Sequence, residues 1–198
     1  VLPHLVLSSG TASAQDVIKA NNTDALNLTT SWVGGVVPGS GNVAVWDSTV
    51  TAANSTALGA DTTWLGVKVT NPGGLVTIGA DANVLTLGTS GVDLSAATQS
   101  VYLNGASTSV GANNQTWNVA STSYLRLGNG NLDGVLSGSG TITISGSGLV
   151  DLNPTTTGAS NFSGKWIVNS GATLRTTRNS VSGDWDALGS NTSADAVT

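Results

Sequence analysis

The chain contains no cysteine, no methionine, no glutamate and only one histidine. Without cysteine it can form neither a disulfide framework nor a thiolate metal site. His4 lies in an apolar terminal stretch, so no Ser-His-Asp triad and no histidine-based zinc site can be assembled in a plausible cleft. All eleven acidic residues are Asp, which prefers turns and caps, whereas glutamate favours helix interiors. These absences predict a chain of strands and turns with no catalytic residues, no cofactor and no metal.

Charge is scarce as well. Charged residues make up 9% of the chain and the net charge is −5, with six Lys and Arg scattered along it. There is no basic patch for nucleic acid or anionic lipid, and no apolar run reaches the ~18–20 residues that span a bilayer. Apolar residues still reach 39%, enough to favour folding over disorder. A neutral surface of hydroxyl and amide groups fits an elongated protein or one that associates with copies of itself.

The amino terminus resembles the end of a secretory signal peptide. An apolar stretch from Val1 to Leu7 precedes Ala12-Ser13-Ala14, a small-residue pattern of the cleavage-site type, directly before Gln15. The alternative is a retained apolar strand that could complete the sheet of a neighbouring molecule. The segment 1–14 therefore predicts an extracellular or cell-surface protein.

From Trp64 onward the chain is a succession of short runs in which apolar and polar residues alternate, separated by Gly, Asn or Asp. Alternation of this kind predicts strands with one buried face. The pattern Leu-x-Leu-Gly recurs at 85–88 and 125–128, and weak repetition of strand-turn units is typical of a solenoid. We predict an all-β, right-handed parallel β-helix with roughly 20 residues per turn; a β-sandwich is the alternative. Residues 61–198 form the predicted solenoid, and 15–60 an irregular amino-terminal cap in which 15–20 form one helical turn.

Three stretches resemble the autotransporter-associated β-strand repeat of bacterial passenger domains. Residues 161–175 carry Phe-Ser-Gly, a central strand, Ser-Gly-Ala and Thr-Leu-Arg in the family's order. Residues 187–190 and 196–198 resemble the start of a following repeat, and 31–48 resembles the entry motif that often precedes such arrays. The resemblance implies a parallel β-helix exported to the bacterial surface, with no catalytic residues in the repeat itself. The segment 137–144 departs from the family because it lacks the usual Lys.

Two other sets of residues have a possible chemical role. Asp184 and Asp186 flank Trp185, and a carboxylate pair could act on polysaccharide, although a polar turn explains the sequence better. The remaining Asp residues mostly neighbour turns. The six Trp could form a sugar-stacking platform, but their positions in alternating strands favour core filling and end-capping. We therefore expect a non-enzymatic structural or adhesive surface protein that associates end to end with copies of itself; a polysaccharide-binding or polysaccharide-degrading β-helix is the alternative.

Overall fold

The computed structural model describes residues 14–79, 81–104, 107–128, 136–153 and 160–176. In these residues every pairing between named strands is parallel, and the strands stack as a β-solenoid of about six turns. The predicted solenoid is thus confirmed, and the alternative β-sandwich, whose sheets are antiparallel, is not formed.

Sixteen strands are defined in the described residues, with one short 3-10 helix at Thr29–Ser31. The strands are β1 (Gln15–Ile18), β2 (Asn42–Trp46), β3 (Asn54–Thr56), β4 (Thr62–Val69), β5 (Val76–Ile78), β6 (Val84–Leu94), β7 (Val101–Leu103), β8 (Ser107–Ser109), β9 (Gln115–Val119), β10 (Tyr124–Leu127), β11 (Leu136–Gly138), β12 (Ile142–Gly146), β13 (Leu149–Leu152), β14 (Asn161–Phe162), β15 (Trp166–Val168) and β16 (Thr173–Thr176).

The strands form two sheets. Sheet I has ten strands and begins β1-β2-β4-β6; beyond β6 it divides into one branch of β8, β11 and β14 and another of β9, β12 and β15. Sheet II has six strands in the order β3-β5-β7-β10-β13-β16. Strands of both sheets lie within 15–60, the stretch that the sequence predicts to be an irregular amino-terminal cap.

Successive turns of the solenoid are longer than the sequence predicts. In sheet II the stacked positions are Asn54, Val76, Val101, Leu125, Val150 and Leu174, which lie 22 to 25 residues apart. The estimate of roughly 20 was too short because each turn contributes strands to both sheets, and from β8 onward three strands, so the corners between them take up additional residues.

Large aromatic side chains fill the interior near the two ends of the described solenoid. Trp32, Trp46 and Trp64 pack together with ring centroids 5.7–6.1 Å apart. Trp166 packs at 5.7 Å from Trp117 and at 5.1 Å from Phe162. All five described Trp residues are buried, as predicted for core filling.

Glycine allows the chain to stack tightly at one corner. A Cβ atom on Gly140 would lie 2.0 Å from the carbonyl oxygen of Asn113 in the turn before, and one on Gly164 would lie 2.0 Å from the carbonyl oxygen of Gly140. Any other residue at these positions would push the turns apart. Gly164 is the glycine of the Phe-Ser-Gly motif. The close approach of the turn before it explains why this motif ends in glycine.

The amino-terminal end is covered by residues 20–33. The backbone N–H of Val33 donates to the Ile18 carbonyl at 2.8 Å beside the edge of sheet I, and that of Leu26 donates to the Ala57 carbonyl at 2.9 Å beside sheet II. Lys19 fixes this cap: its buried ammonium donates to the carbonyls of Ala20 and Asn22 at 2.8–2.9 Å. Burial lowers the pKa of Lys19 to about 8, against the opposing charge of Asp24.

One local prediction in this region was wrong. The helical turn predicted at 15–20 is instead strand β1, whose Gln15–Ile18 pairs in parallel with Asn42–Val45. Val17 and Ile18 are β-branched, and pairing with β2 buries Val17, which a single isolated helical turn would leave exposed.

Candidate functional site

The most distinctive surface of the described solenoid is a column of side chains on sheet II. Register places Tyr102 of β7, Arg126 of β10, Asp151 of β13 and Arg175 of β16 at the same position in four successive turns. Each of the four alternates along its strand with residues that point inward, so all four side chains project from the outer face of the sheet. We call these four residues the charged column.

Asp151 lies between the two arginines and both of its oxygens are bonded. Arg175 donates from Nε to Oδ1 at 3.1 Å and from Nη2 to Oδ2 at 2.9 Å, while Arg126 donates from Nε to Oδ2 at 3.0 Å. The arginines cover the carboxylate so completely that the Asp151 side chain is 0% exposed, compared with 27% for Arg126 and 48% for Arg175. Burial alone would raise the pKa of Asp151, but the hydrogen bonds and charges of Arg175 and Arg126 outweigh it and lower that pKa. The three groups together carry one net positive charge.

Two tyrosines support the inner arginine. The hydroxyl groups of Tyr102 and Tyr124 share a short hydrogen bond, and their rings lie 5.6 Å apart. The guanidinium carbon of Arg126 lies 5.2 Å from the centre of the Tyr102 ring and 5.5 Å from that of Tyr124, within the range of a cation–π contact. The hydrogen bond with Tyr124, together with burial, raises the pKa of Tyr102, so the Tyr102 hydroxyl stays neutral beside Arg126. Arg126 is therefore held by rings on one side and by a carboxylate on the other.

A groove of about 430 Å³ opens beside the charged column. This volume is within the range of small-ligand sites. Its lining consists of Ser121, Ser123, Tyr124, Ser147, Gly148, Leu149, Thr173 and Arg175. The lining thus combines several hydroxyl groups, one aromatic ring and one guanidinium group, and it contains no carboxylate. Because Tyr124, Leu149 and Thr173 are register partners in consecutive strands, the groove runs across three turns of the solenoid.

The residues to which the sequence drew attention are distributed differently. The five described Trp are interior, so they form no exposed platform. Asp47, Asp61 and Asp81 accept backbone N–H bonds at turns, at 2.8 Å from Thr49, Val84 and Gly59 respectively. Asp151, in contrast, lies within a strand and not at a turn. His4, Asp184, Trp185 and Asp186 lie outside the described residues.

Sequence reasoning did not find the charged column, although a signal for it was present. Each of its members follows the first inward residue of a short run: Val101, Leu125, Val150 and Leu174. Aligning these runs on that residue brings Tyr, Arg, Asp and Arg into one column. The alignment needs the corner lengths, which the sequence pattern does not define.

No protein-family model matches the chain, and neither a curated protein nor a solved structure does so. The stacked parallel strands define the class of this chain, a parallel β-solenoid protein. Within the described ranges no group of three or more His, Cys, Asp or Glu could hold a metal ion. A search of the same residues found no helix with the length and apolar character needed to cross a bilayer.

Proposed function

We propose that this chain is a non-enzymatic structural or adhesive protein of the bacterial cell surface, which acts through its rigid shape and its outer faces. The observation that carries the proposal is the continuous parallel register, with an apolar interior, through all described turns. Six turns at about 4.8 Å each make a rod about 29 Å long. Cohesion comes from stacked ladders, so the rod needs no disulfide in an oxidising environment.

The export part of the proposal is supported by sequence features: the signal-like 1–14 and the resemblance of 161–175 to the passenger repeat. An antibody raised against the purified chain should label intact cells of the source organism without permeabilisation. A cytoplasmic protein of the same cells is the control and should be labelled only after permeabilisation. Labelling of both proteins only after permeabilisation would rule out a surface location.

The chemistry of the described residues also supports a non-enzymatic role. The one buried carboxylate among them, Asp151, accepts hydrogen bonds from two arginines and stays ionised, so it is poorly suited to donate or accept a proton as a general acid or base. The groove beside it has no carboxylate in its lining. Of the two polysaccharide alternatives, binding is therefore better supported than degradation.

Self-association belongs to the proposal in a narrower form. Cap residues 20–33 already bond to chain segments of both sheets at the amino-terminal end, as the bonds of Val33 and Leu26 show. At the other end of the described solenoid, β14, β15 and β16 each have one described partner strand. Strand pairing between two copies would use this end. Because only one end of each copy would then pair, we expect a dimer and not a filament.

Self-association can be tested by sedimentation of the full chain over a hundredfold range of concentration, with electron microscopy of the same samples. We expect a monomer–dimer equilibrium and short particles. Long filaments would show that the amino-terminal end also associates, and a monomer at every concentration would remove self-association while leaving the surface-rod proposal in place.

A further inference from the structure

We infer that the groove beside the charged column binds an acidic saccharide, with Arg175 contacting a sugar carboxylate. This inference deepens the polysaccharide-binding alternative above and rests on it, and it does not require self-association. The groove is a candidate binding site because the parallel fold does not require an arginine at position 175: in the first turns the same outward position holds the short hydroxyl residues Ser55 and Thr77.

Arg175 is held in place but still has free donors. A guanidinium group has five N–H bonds, and two of those of Arg175 go to Asp151. The remaining N–H bonds have no partner in the described contacts, and the side chain is 48% exposed. Because Asp151 already restricts the side chain, less conformational entropy is lost when an anion binds. Two parallel N–H groups also match the geometry of a carboxylate.

Local charge favours an anion here, while the charge of the whole chain disfavours a polyanion of high density. The two arginines and Asp151 carry one net positive charge, in a chain whose net charge is −5. A nucleic acid needs many phosphate contacts, and only six Lys and Arg are present. One guanidinium group can bind one carboxylate, so the site suits a saccharide chain whose carboxylates are far apart.

The rest of the lining selects a sugar over an acidic peptide. The centre of the groove floor is formed by β10 and β13, each of which pairs with a strand on both sides, so a peptide lying on this face would find few backbone partners. The hydroxyls of Ser121, Ser147 and Thr173 can instead exchange hydrogen bonds with sugar hydroxyls. The ring of Tyr124 offers an apolar face for a pyranose ring. At about 4.8 Å per strand, the two steps from Tyr124 to Thr173 span about 10 Å, which is long enough for more than one sugar unit.

Calorimetric titration with a uronic-acid oligosaccharide tests the inference, and the methyl ester of the same oligosaccharide is the matched neutral ligand. We expect measurable binding of the acid and at least tenfold weaker binding of the ester. Arg175→Gln should weaken binding of the acid at least tenfold. Lys165→Gln is the matched control, because it removes the same charge on sheet I beside β15, and it should change the affinity less than twofold.

Arg175→Gln also removes support from Asp151, so a second variant separates binding from stability. Ser147 is exposed at the rim of the groove and lies between β12 and β13, outside both strands. Ser147→Trp should therefore fill the groove and abolish binding, while the thermal unfolding midpoint stays within a few degrees of the wild-type value. Sodium acetate and sodium sulfate test for binding of a free anion.

The possible outcomes distinguish acidic specificity from polysaccharide binding in general. Equal affinity for acid and ester would overturn the acidic specificity and keep polysaccharide binding. Failure to bind either ligand would overturn both. Binding of acetate or sulfate as strong as that of the oligosaccharide, or unchanged binding in Ser147→Trp, would overturn the assignment of the groove to a saccharide.

Discussion

Two outward columns of side chains run up this solenoid and differ in chemistry. On sheet I, register aligns Thr63, Thr86, Ser109, Ser137 and Asn161 in five successive turns. The charged column on sheet II occupies equivalent outward positions, but it begins only after Ser55 and Thr77. Both columns stand on parallel strands that pair in the same way, so the backbone does not require the difference.

The comparison shows what the repeat itself needs. Short hydroxyl and amide side chains are sufficient in the column on sheet I, where they are exposed or half-buried. Aromatic and charged side chains appear on sheet II in four consecutive turns, and there they contact one another across the strands. A set of contacts that the fold does not need is a better indicator of a site than any single residue in the chain.

The largest expected effect comes from removing the centre of the charged column. Asp151→Ala leaves Arg126 and Arg175 adjacent and without their shared carboxylate. We expect a loss of about 2–3 kcal/mol in the free energy of unfolding, less than for a fully buried ion pair because both arginines keep contact with water. Urea unfolding followed by circular dichroism measures it.

The matched control is Thr143→Ala, an outward position on sheet I in the neighbouring strand segment, where we expect a change within about 0.5 kcal/mol. Similar losses in both variants would mean that the two outer faces contribute equally and that the charged column is not special.

The second-largest effect is expected from acid, which should weaken the ion pairs of the charged column. The pKa of Asp151 is lowered in the folded protein, so the unfolded chain binds more protons in acid than the folded one. The stabilisation is complete above the unfolded pKa of about 3.9 and is lost as the pH falls through the folded value. We expect the unfolding midpoint in urea to fall below about pH 4 more steeply for the wild type than for Asp151→Asn. Parallel curves would show that Asp151 makes no contribution, since Asp81, whose pKa is also lowered, is present in both proteins.

A smaller effect is expected at the tyrosine pair. Tyr102→Phe keeps the ring beneath Arg126 and removes the hydroxyl that bonds to Tyr124, which should cost about 1 kcal/mol. Thr63→Val, which removes an exposed hydroxyl from the column on sheet I, should cost less than half of that. A larger loss for Thr63→Val would reverse the order of the two columns.

The sequence predicted the fold better than the site, for a physical reason. Alternation within a run such as 84–87 reports which side chains point inward, and Gly in 137–140 reports a corner, so strands and solenoid follow from local signals. Strand β1 was missed because its apolar pattern is only four residues long and depends on pairing with β2. The charged column depends on stacking between residues 24 or 25 positions apart, which no local pattern contains.

The smallest expected effect comes from copying the triplet of charges onto the other column. Ser109→Arg, Ser137→Asp and Asn161→Arg together place Arg, Asp and Arg in register on sheet I. Stability should change by less than about 1 kcal/mol, because exposed ion pairs contribute little and no tyrosine rings support the first arginine. The copied triplet should not bind the uronic-acid oligosaccharide when combined with Ser147→Trp, since the groove on sheet II that supplies the hydroxyls and the ring is then filled. Binding by that combined variant would show that the charges alone are sufficient, and the difference between the two faces would then lie in charge and not in shape.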